Sequence, residues 1–439
     1  MKTLDHWEDS LTVTPSTIEC VEMRLKGNYD FEPPIFFGPG HIDIRNSTTI
    51  DFTMFANSTD PKDAIRSLAD ARENPYKAIN QFRLFVTDYQ GNEWACGWTI
   101  PELKGAPKIG WPLTGKLNSM VTRVSGSWVS TDSSVELVFN PKIYLPLDKE
   151  MLTVTSIDGN EIHWKRSAAE QTIEVLDSEI KFFYKPYTES LWLTAKTSSK
   201  LTHPYLENWL SEPLRILLGQ LVFPRLVARN LGDGTAHVWL RPSPGLFRNT
   251  GIASLVGGDP YGARAEFWEL YSKLLILISE ARDEKGTPNF ESNPITRFYE
   301  EIIQATRGSR WVLCLTLASV VEGLAKMLMQ PAEKKSDFPK EEIERIKKTV
   351  AEWKGHERLR SRILGEIERA SERSISSYLR DLVHRGVLKQ SNERAWSSIR
   401  HNVMHGNLVI PWATEEEDKR VLDLADLVHR LTRELIREK

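Results

Sequence analysis

The chain has 439 residues, of which 40% are apolar and 27% charged, with 57 Lys and Arg set against 60 Asp and Glu. That length suits roughly three domains, and the composition lies near the globular average, which excludes a disordered or low-complexity chain. A net charge of −3 removes any whole-protein case for polyanion binding, and three widely spaced cysteines (Cys20, Cys96, Cys314) fit neither a disulfide framework nor a Cys-x-x-Cys metal site.

The first nine residues, Met-Lys-Thr-Leu-Asp-His-Trp-Glu-Asp, are acidic and lack the apolar core of a signal peptide. Together with the cysteine usage this points to a reducing, cytoplasmic setting without a membrane partner. From about residue 20 to 242 the pattern is that of β-structure. Phe82 to Asp88 alternates, a turn falls at Gly91-Asn92, and Trp94, Cys96 and Trp98 resume at period two, which predicts a hairpin with one buried face. Val135, Leu137 and Phe139 alternate likewise. Val154 and then Ile162 and Trp164 flank an Asp158-Gly159 turn, the strongest short hairpin signal in the chain. Ile180, Phe182 and Tyr184 lead towards Leu191 and Leu193, and Gly232-Asp233-Gly234 precedes Val238 and Leu240. Helical patches near 62–71 and 206–221 interrupt the strands. The Pro-rich stretch Pro101 to Pro112 reads as a seam between two sandwich- or barrel-like units, 1–112 and 113–242.

Arg241-Pro242-Ser243-Pro244-Gly245 ends this texture and Gly257-Gly258-Asp259-Pro260 precedes the first long helix, which places a linker at 243–261. The remainder, 262–439, reads as a helical bundle, so the fold class is an α+β multidomain chain with an all-β N-terminal region and an all-α C-terminal one. Phe267, Leu270, Tyr271, Leu274 and Ile278 form the dense apolar set of a first helix over 263–284. Residues 309–329 are apolar nearly all round, as expected of a central bundle helix, and Glu322 and Lys326 make a buried helix a better reading than a membrane span. Ser336-Asp337 offers a cap for an amphipathic helix carrying Ile343, Ile346, Val350 and Trp353, and Ile363, Ile367, Ile375, Leu379 and Leu382 continue beyond a break at Gly355. A last helix places Val421, Leu424, Val428, Leu431 and Leu435 on one stripe. Charge tilts along the chain: 331–439 holds 23 Lys and Arg against 20 Asp and Glu, a net of +3, and the rest holds 34 against 40, a net of −6.

In the β region His41, His163, His203 and His237 show no ligand spacing, and Trp94, Trp98, Trp128, Trp164 and Trp192 match strand spacing, so core roles are expected. Phe36-Phe37-Gly38-Pro39-Gly40 lacks the Lys-Ser/Thr ending of a phosphate loop.

Near the C-terminus the chain reads Ala395-Trp396-Ser397-Ser398-Ile399-Arg400-His401-Asn402-Val403-Met404-His405-Gly406-Asn407. Arg400 offers a planar fork of donors for a phosphate and stays charged at any physiological pH. His405 can take or give a proton near neutrality. A rival pair, Arg394 and His401, satisfies the same loose spacing but lacks the polar residue after the Arg and the Gly after the His. Ala395, Trp396, Ile399 and Val403 share one apolar face; Arg400 lies at its edge and His405 off it, about 140° from Arg400 on an ideal helix. A purely structural alternative remains for each: an ion pair for Arg400, and for His405 the helix C-terminus, which favours a protonated imidazole.

The segment resembles the R-x4-6-H motif of the HEPN superfamily, most closely its Apea-like and abortive-infection branches, and the resemblance covers roughly 292–439. It implies a HEPN-like bundle that dimerises and cuts RNA, tRNA first among the candidates, with no metal or cofactor. The catalytic residues would be Arg400 and His405, with Asn402 and His401 in support. Glu322 would orient Arg400, or else pair with another Arg of the bundle. The β region would sense a phage-derived or cellular trigger. The alternative implied by the same resemblance is a non-catalytic HEPN-like module that dimerises and binds RNA, a nucleotide or a protein partner.

Overall fold

The computed structural model describes residues 2–12, 14–27, 33–105, 110–139, 143–155, 161–185, 190–245, 251–257, 260–290, 293–331, 333–334, 338–404 and 414–437, with the backbone alone described at 9–10, 78, 148–155, 161–168 and 403–404. Within these residues an N-terminal antiparallel β region is followed by a C-terminal helical one.

Short helix α1 (Glu8–Thr12) precedes β1 (Ser16–Lys26), β2 (Phe36–Asn46) and β3 (Thr49–Ala56). Helix α2 (Pro61–Glu73) begins at Asp60, whose carboxylate accepts from the Lys62 and Asp63 amides at 2.9 and 3.2 Å. Next come β4 (Phe82–Asp88), β5 (Glu93–Thr99), β6 (Glu102–Leu103), β7 (Trp111–Lys116), β8 (Met120–Ser125) and β9 (Ser133–Val138). The long hairpin β10 (Asp148–Thr155) and β11 (Glu161–Val175) pairs as expected, although its Asp158-Gly159 turn lies outside the described residues. Strands β12 (Ser178–Tyr184), β13 (Leu191–Lys196), β14 (Leu226–Leu231) and β15 (Thr235–Leu240) complete the set, with α3 (Leu206–Trp209) and α4 (Glu212–Leu218) between β13 and β14. All join one antiparallel strand order, β10-β11-β12-β13-β9-β14-β15-β8-β5-β4-β1-β2-β3-β7-β6. Among the described residues the expected seam at Pro101–Pro112 therefore divides no two sheets: β7 returns to pair with β3, and β8 pairs with both β5 and β15.

Two local features of this unit were not visible as patterns. Trp98 is exposed, unlike Trp94, because β5 gains a residue against β4 where Gly97 takes a φ of +66°, a conformation open to glycine. The bulge turns Trp98 to the outer face, where the Arg83 guanidinium lies 5.2 Å from its ring. Secondly, β-region packing starts well before residue 20. Glu136 on β9 is buried and takes the Thr3 and Leu4 amides on its two carboxylate oxygens, each at 2.9 Å, while Thr3 Oγ1 donates to Asn230 at 2.6 Å. Burial pushes the Glu136 carboxyl up, against the opposing pull of those amides. Leu4, Trp7 and Leu11 join the same core as Trp94, Phe52 and Trp192.

The chain divides into two compact units. The second holds Pro213–Gln220, Arg248–Ile278 and Ser292–Lys439. Most of α4 thus belongs with the helices, and Arg215 on it pairs with Glu300. Within the expected linker, the described stretch 251–257 is packed: Ala253, Ser254 and Leu255 are buried, and the Ser254 hydroxyl meets the Leu217 carbonyl at 2.6 Å.

Helix α5 (Arg264–Glu280) buries Phe267, Leu270, Tyr271, Leu274 and Ile278. Helices α6 (Pro294–Ala305) and α7 (Arg310–Leu328) follow, the latter capped by the Ser309 hydroxyl. Helix α7 has the length and mean hydropathy (1.6) of a membrane span. It is not buried all round: Cys314, Leu317, Ala318, Val321, Leu324 and Ala325 face the core, and Val312 and Met327 face solvent. Around its buried side pack α6, α10 (Ile375–His384), α11 (Gln390–Met404) and α12 (Glu415–Ile436). Between α7 and α10 lie α8 (Lys340–Glu352) and α9 (Glu357–Ala370). Helix α8 starts after Pro339, and Ser336-Asp337 lie outside the described residues. The apolar stripe predicted here as bundle core is largely open: α8 buries Ile343 alone and α9 buries no residue. These two helices pack on each other instead.

Candidate active site

Helix α11 carries Arg400, the first half of the Arg–His motif, and is fixed at two places. Its first turn is anchored to α12 by Asn392, fully buried, whose Nδ2 donates to the Asp423 carbonyl at 2.7 Å and to Asp426 at 3.1 Å. Its apolar face, Ala395, Trp396 and Ile399, is buried as the sequence predicts. The Trp396 Nε1 donates to the Ala318 carbonyl of α7 at 3.2 Å, which satisfies a buried indole. One turn on, Arg400 of α11 meets Glu322 of α7, itself one turn beyond Ala318. The two contacts advance in the same direction along both helices, so α7 and α11 run parallel here, as three intervening helices allow.

Arg400 Nε donates to Glu322 Oε1, and its guanidinium carbon stands 5.5 Å from the centre of the Trp396 ring. With the side chains 44% and 28% exposed, the pair sits at a surface and is not a sealed ion pair. The bond engages Nε. No described residue bonds the two terminal Nη groups, which leaves the outer fork open for two oxygens of an anion. Trp396, placed four residues before Arg400, acts as a shelf below the guanidinium. Sequence reasoning assigned it only to the core, although its i, i+4 spacing from Arg400 was the available signal.

Of the two pairings left open for Glu322, the structure has the one with Arg400. His401 and Asn402 are exposed at the end of α11, as is Arg394 of the rival pair. His405 follows Met404 and lies outside the described residues. Among the described residues no group of His, Cys, Asp and Glu has the arrangement of a metal site. The three cysteines are buried thiols, and burial pushes the Cys20 thiol up to about 12.

The β unit has a separate polar cleft of about 640 Å³ lined by Arg45, Asp51, Trp98, Lys104, Lys116 and Asn118 among others. Its Arg45 is held by Asp51 at 2.8 Å. In this unit His203 lies 2.9 Å from Glu207 and 3.1 Å from the Asn230 carbonyl, His41 lies 3.5 Å from Asp43, and burial lowers the pKa of His237. The side chain of His163 lies outside the description.

No protein-family model, no curated protein and no solved structure matches this chain.

Proposed function

We propose that this protein is a metal-independent endoribonuclease whose helical unit is a HEPN-like bundle, with Arg400 and His405 as its catalytic pair. The carrying observation is the open fork of Arg400, oriented through Nε by Glu322 and supported by Trp396. Such a guanidinium is positioned before substrate arrives, which is where electrostatic catalysis gains most. In the reaction, His405 removes the proton of a ribose 2′-hydroxyl, and the 2′-oxygen attacks the adjacent phosphorus. The P–O5′ bond breaks, and the leaving 5′-oxygen takes its proton back from the His405 imidazolium. Arg400 stabilises the charge that grows on the phosphate oxygens. Products are a 2′,3′-cyclic phosphate and a 5′-hydroxyl, and DNA, without the 2′-hydroxyl, is not cut.

Arg400 and His405 sit about 140° apart on an ideal helix, too far to meet side by side, so the reading includes a two-fold dimer that pairs motifs from two chains. tRNA is the favoured substrate, cytoplasm the setting, and phage defence by abortive infection or toxin action the biological role. The β unit acts as sensor, and its cleft has the volume of a small-ligand site. The test is end analysis of RNA incubated with the protein in EDTA. Cyclic phosphate and 5′-hydroxyl ends, absent with His405→Ala, are expected. RNA bound but left intact under every trigger tried would leave a non-catalytic RNA-binding module in its place.

A further inference from the structure

The antiparallel pair α8 and α9 differs from the rest of the helical unit. It packs on itself, Lys347 reaches Glu368 across it at 3.5 Å, and a backbone bond from Arg373 to the Lys334 carbonyl at 3.1 Å closes its base. Between Arg345 and Arg362 it carries seven Lys and Arg against Glu352 and Glu357, a net of +5 in a chain whose total is −3. Lys348, Lys354, Arg358 and Arg362 are exposed, and none has a carboxylate partner among the described residues. This sets them apart from the arginines around the groove at Gly386. There Arg385 pairs with Asp381, Arg430 with Asp426, Arg433 with Glu266 and Arg437 with Glu434.

Placement adds to charge. At about 100° per residue, Arg358, Arg362 and Arg369 fall within about 40° of one another, a basic stripe along α9. At the tip, Trp353 is 42% exposed. Its ring lies across Gly355 so closely that a Cβ there would stand 2.1 Å from it. The indole thus lies against the Gly355 backbone and keeps part of its surface open to solvent.

We propose that α8–α9 is an RNA-docking arm, in which the unpartnered cations grip phosphates and Trp353 stacks on an unpaired base. Free cations attract a polyanion by releasing its counterions, and an open aromatic face adds sequence-tolerant stacking. The arm belongs to the same unit as Arg400, so it supplies the affinity for the substrate class that the proposed catalytic pair acts on, and in that sense it rests on the reading above.

The test measures binding of a fluorescein-labelled tRNA transcript to the full-length protein by anisotropy at several salt concentrations. An arm variant (Lys348→Ala, Lys354→Ala, Arg358→Ala, Arg362→Ala) is compared with wild type and with Arg400→Ala, and circular dichroism checks folding. Expected is at least a tenfold loss of affinity in the arm variant, with the log–log salt slope shallower by about 0.7–0.9 per phosphate contact removed. Trp353→Ala lowers affinity and leaves that slope unchanged. Unaltered affinity and slope in the folded arm variant overturn the proposal, and a simultaneous change in sedimentation would reassign the arm to contact between copies. Arm-dependent binding without cleavage by wild type keeps this proposal and sinks the catalytic one; cleavage with arm-independent binding does the reverse.

Discussion

At residue 400 the side-chain type matters more than its charge. Glu322 takes Nε, so the groups left for a phosphate are the two Nη atoms, a pair that lysine cannot reproduce. Arg400→Lys should therefore lose about 10²- to 10³-fold in cleavage rate at saturating RNA, nearly as much as Arg400→Ala. A near-wild-type rate for the Lys variant would reduce Arg400 to a general attractor of RNA. Glu322→Gln tests the orienting role separately. It keeps an acceptor for Nε but removes the charge, and should lower the maximal rate about ten- to a hundredfold with little change in RNA affinity. Because the pair is partly exposed, folding stability should move by no more than about 1 kcal/mol. Equal loss of rate and stability would mark Glu322 as structural. The motif and the solvent-facing edge of Arg400 were readable from helix spacing. Its partner was not, since Glu322 lies 78 residues away and spacing cannot choose between arginines of a bundle.

Among elements, hairpins were the most legible: β4–β5 and β14–β15 pair around the turns their glycines announce. Alternation failed at Trp98, where one extra residue reverses every later side chain. Helical periodicity located α8 and α9 but could not say how far their stripes are covered, and most of both is left open. Periodicity was equally blind to His429 on α12. Its ring stacks 6.1 Å from Tyr299 of α6, whose hydroxyl bonds Thr432 at 3.1 Å. Nε2 is sealed from solvent without a partner among the described residues. Desolvation first, then the nearby Arg433 charge, depress the His429 pKa from 6.5 to about 4. Unfolded, the imidazole takes its proton near 6.5; folded, it does so only near 4, so between these values the unfolded state binds more protons. The stability it confers is complete above pH 6.5 and drains away as pH falls towards 4, by at most about 3 kcal/mol at about 1.36 kcal/mol per pKa unit. Urea titrations of wild type and His429→Asn at pH 7 and pH 4.5 should show a smaller acid loss in the variant. An identical loss in both would place the acid sensitivity elsewhere.

For the whole molecule, the decisive question is whether one chain holds a complete site. The structure gives each helical unit a single described Arg400–Glu322 pair. The helix spacing that separates Arg400 from His405 argues that the second half of the chemistry comes from another copy. Mixing two inactive proteins puts this to the test. In a dimer of one Arg400→Ala chain and one His405→Ala chain, one site combines the intact His405 of the first with the intact Arg400 of the second, and the opposite site has neither. After statistical exchange half the dimers are mixed and each carries one working site of two, so cleavage should recover to about a quarter of the wild-type rate. Sedimentation should show a dimer for wild type and both variants alike. Recovery that follows mixing with the kinetics of subunit exchange, and is lost on dilution below the dimer dissociation constant, would tie activity to the shared cleft. If the mixture stays as inactive as its components while dimers demonstrably exchange, each site is built from one chain, and the pairing of motifs across a two-fold axis has to be abandoned.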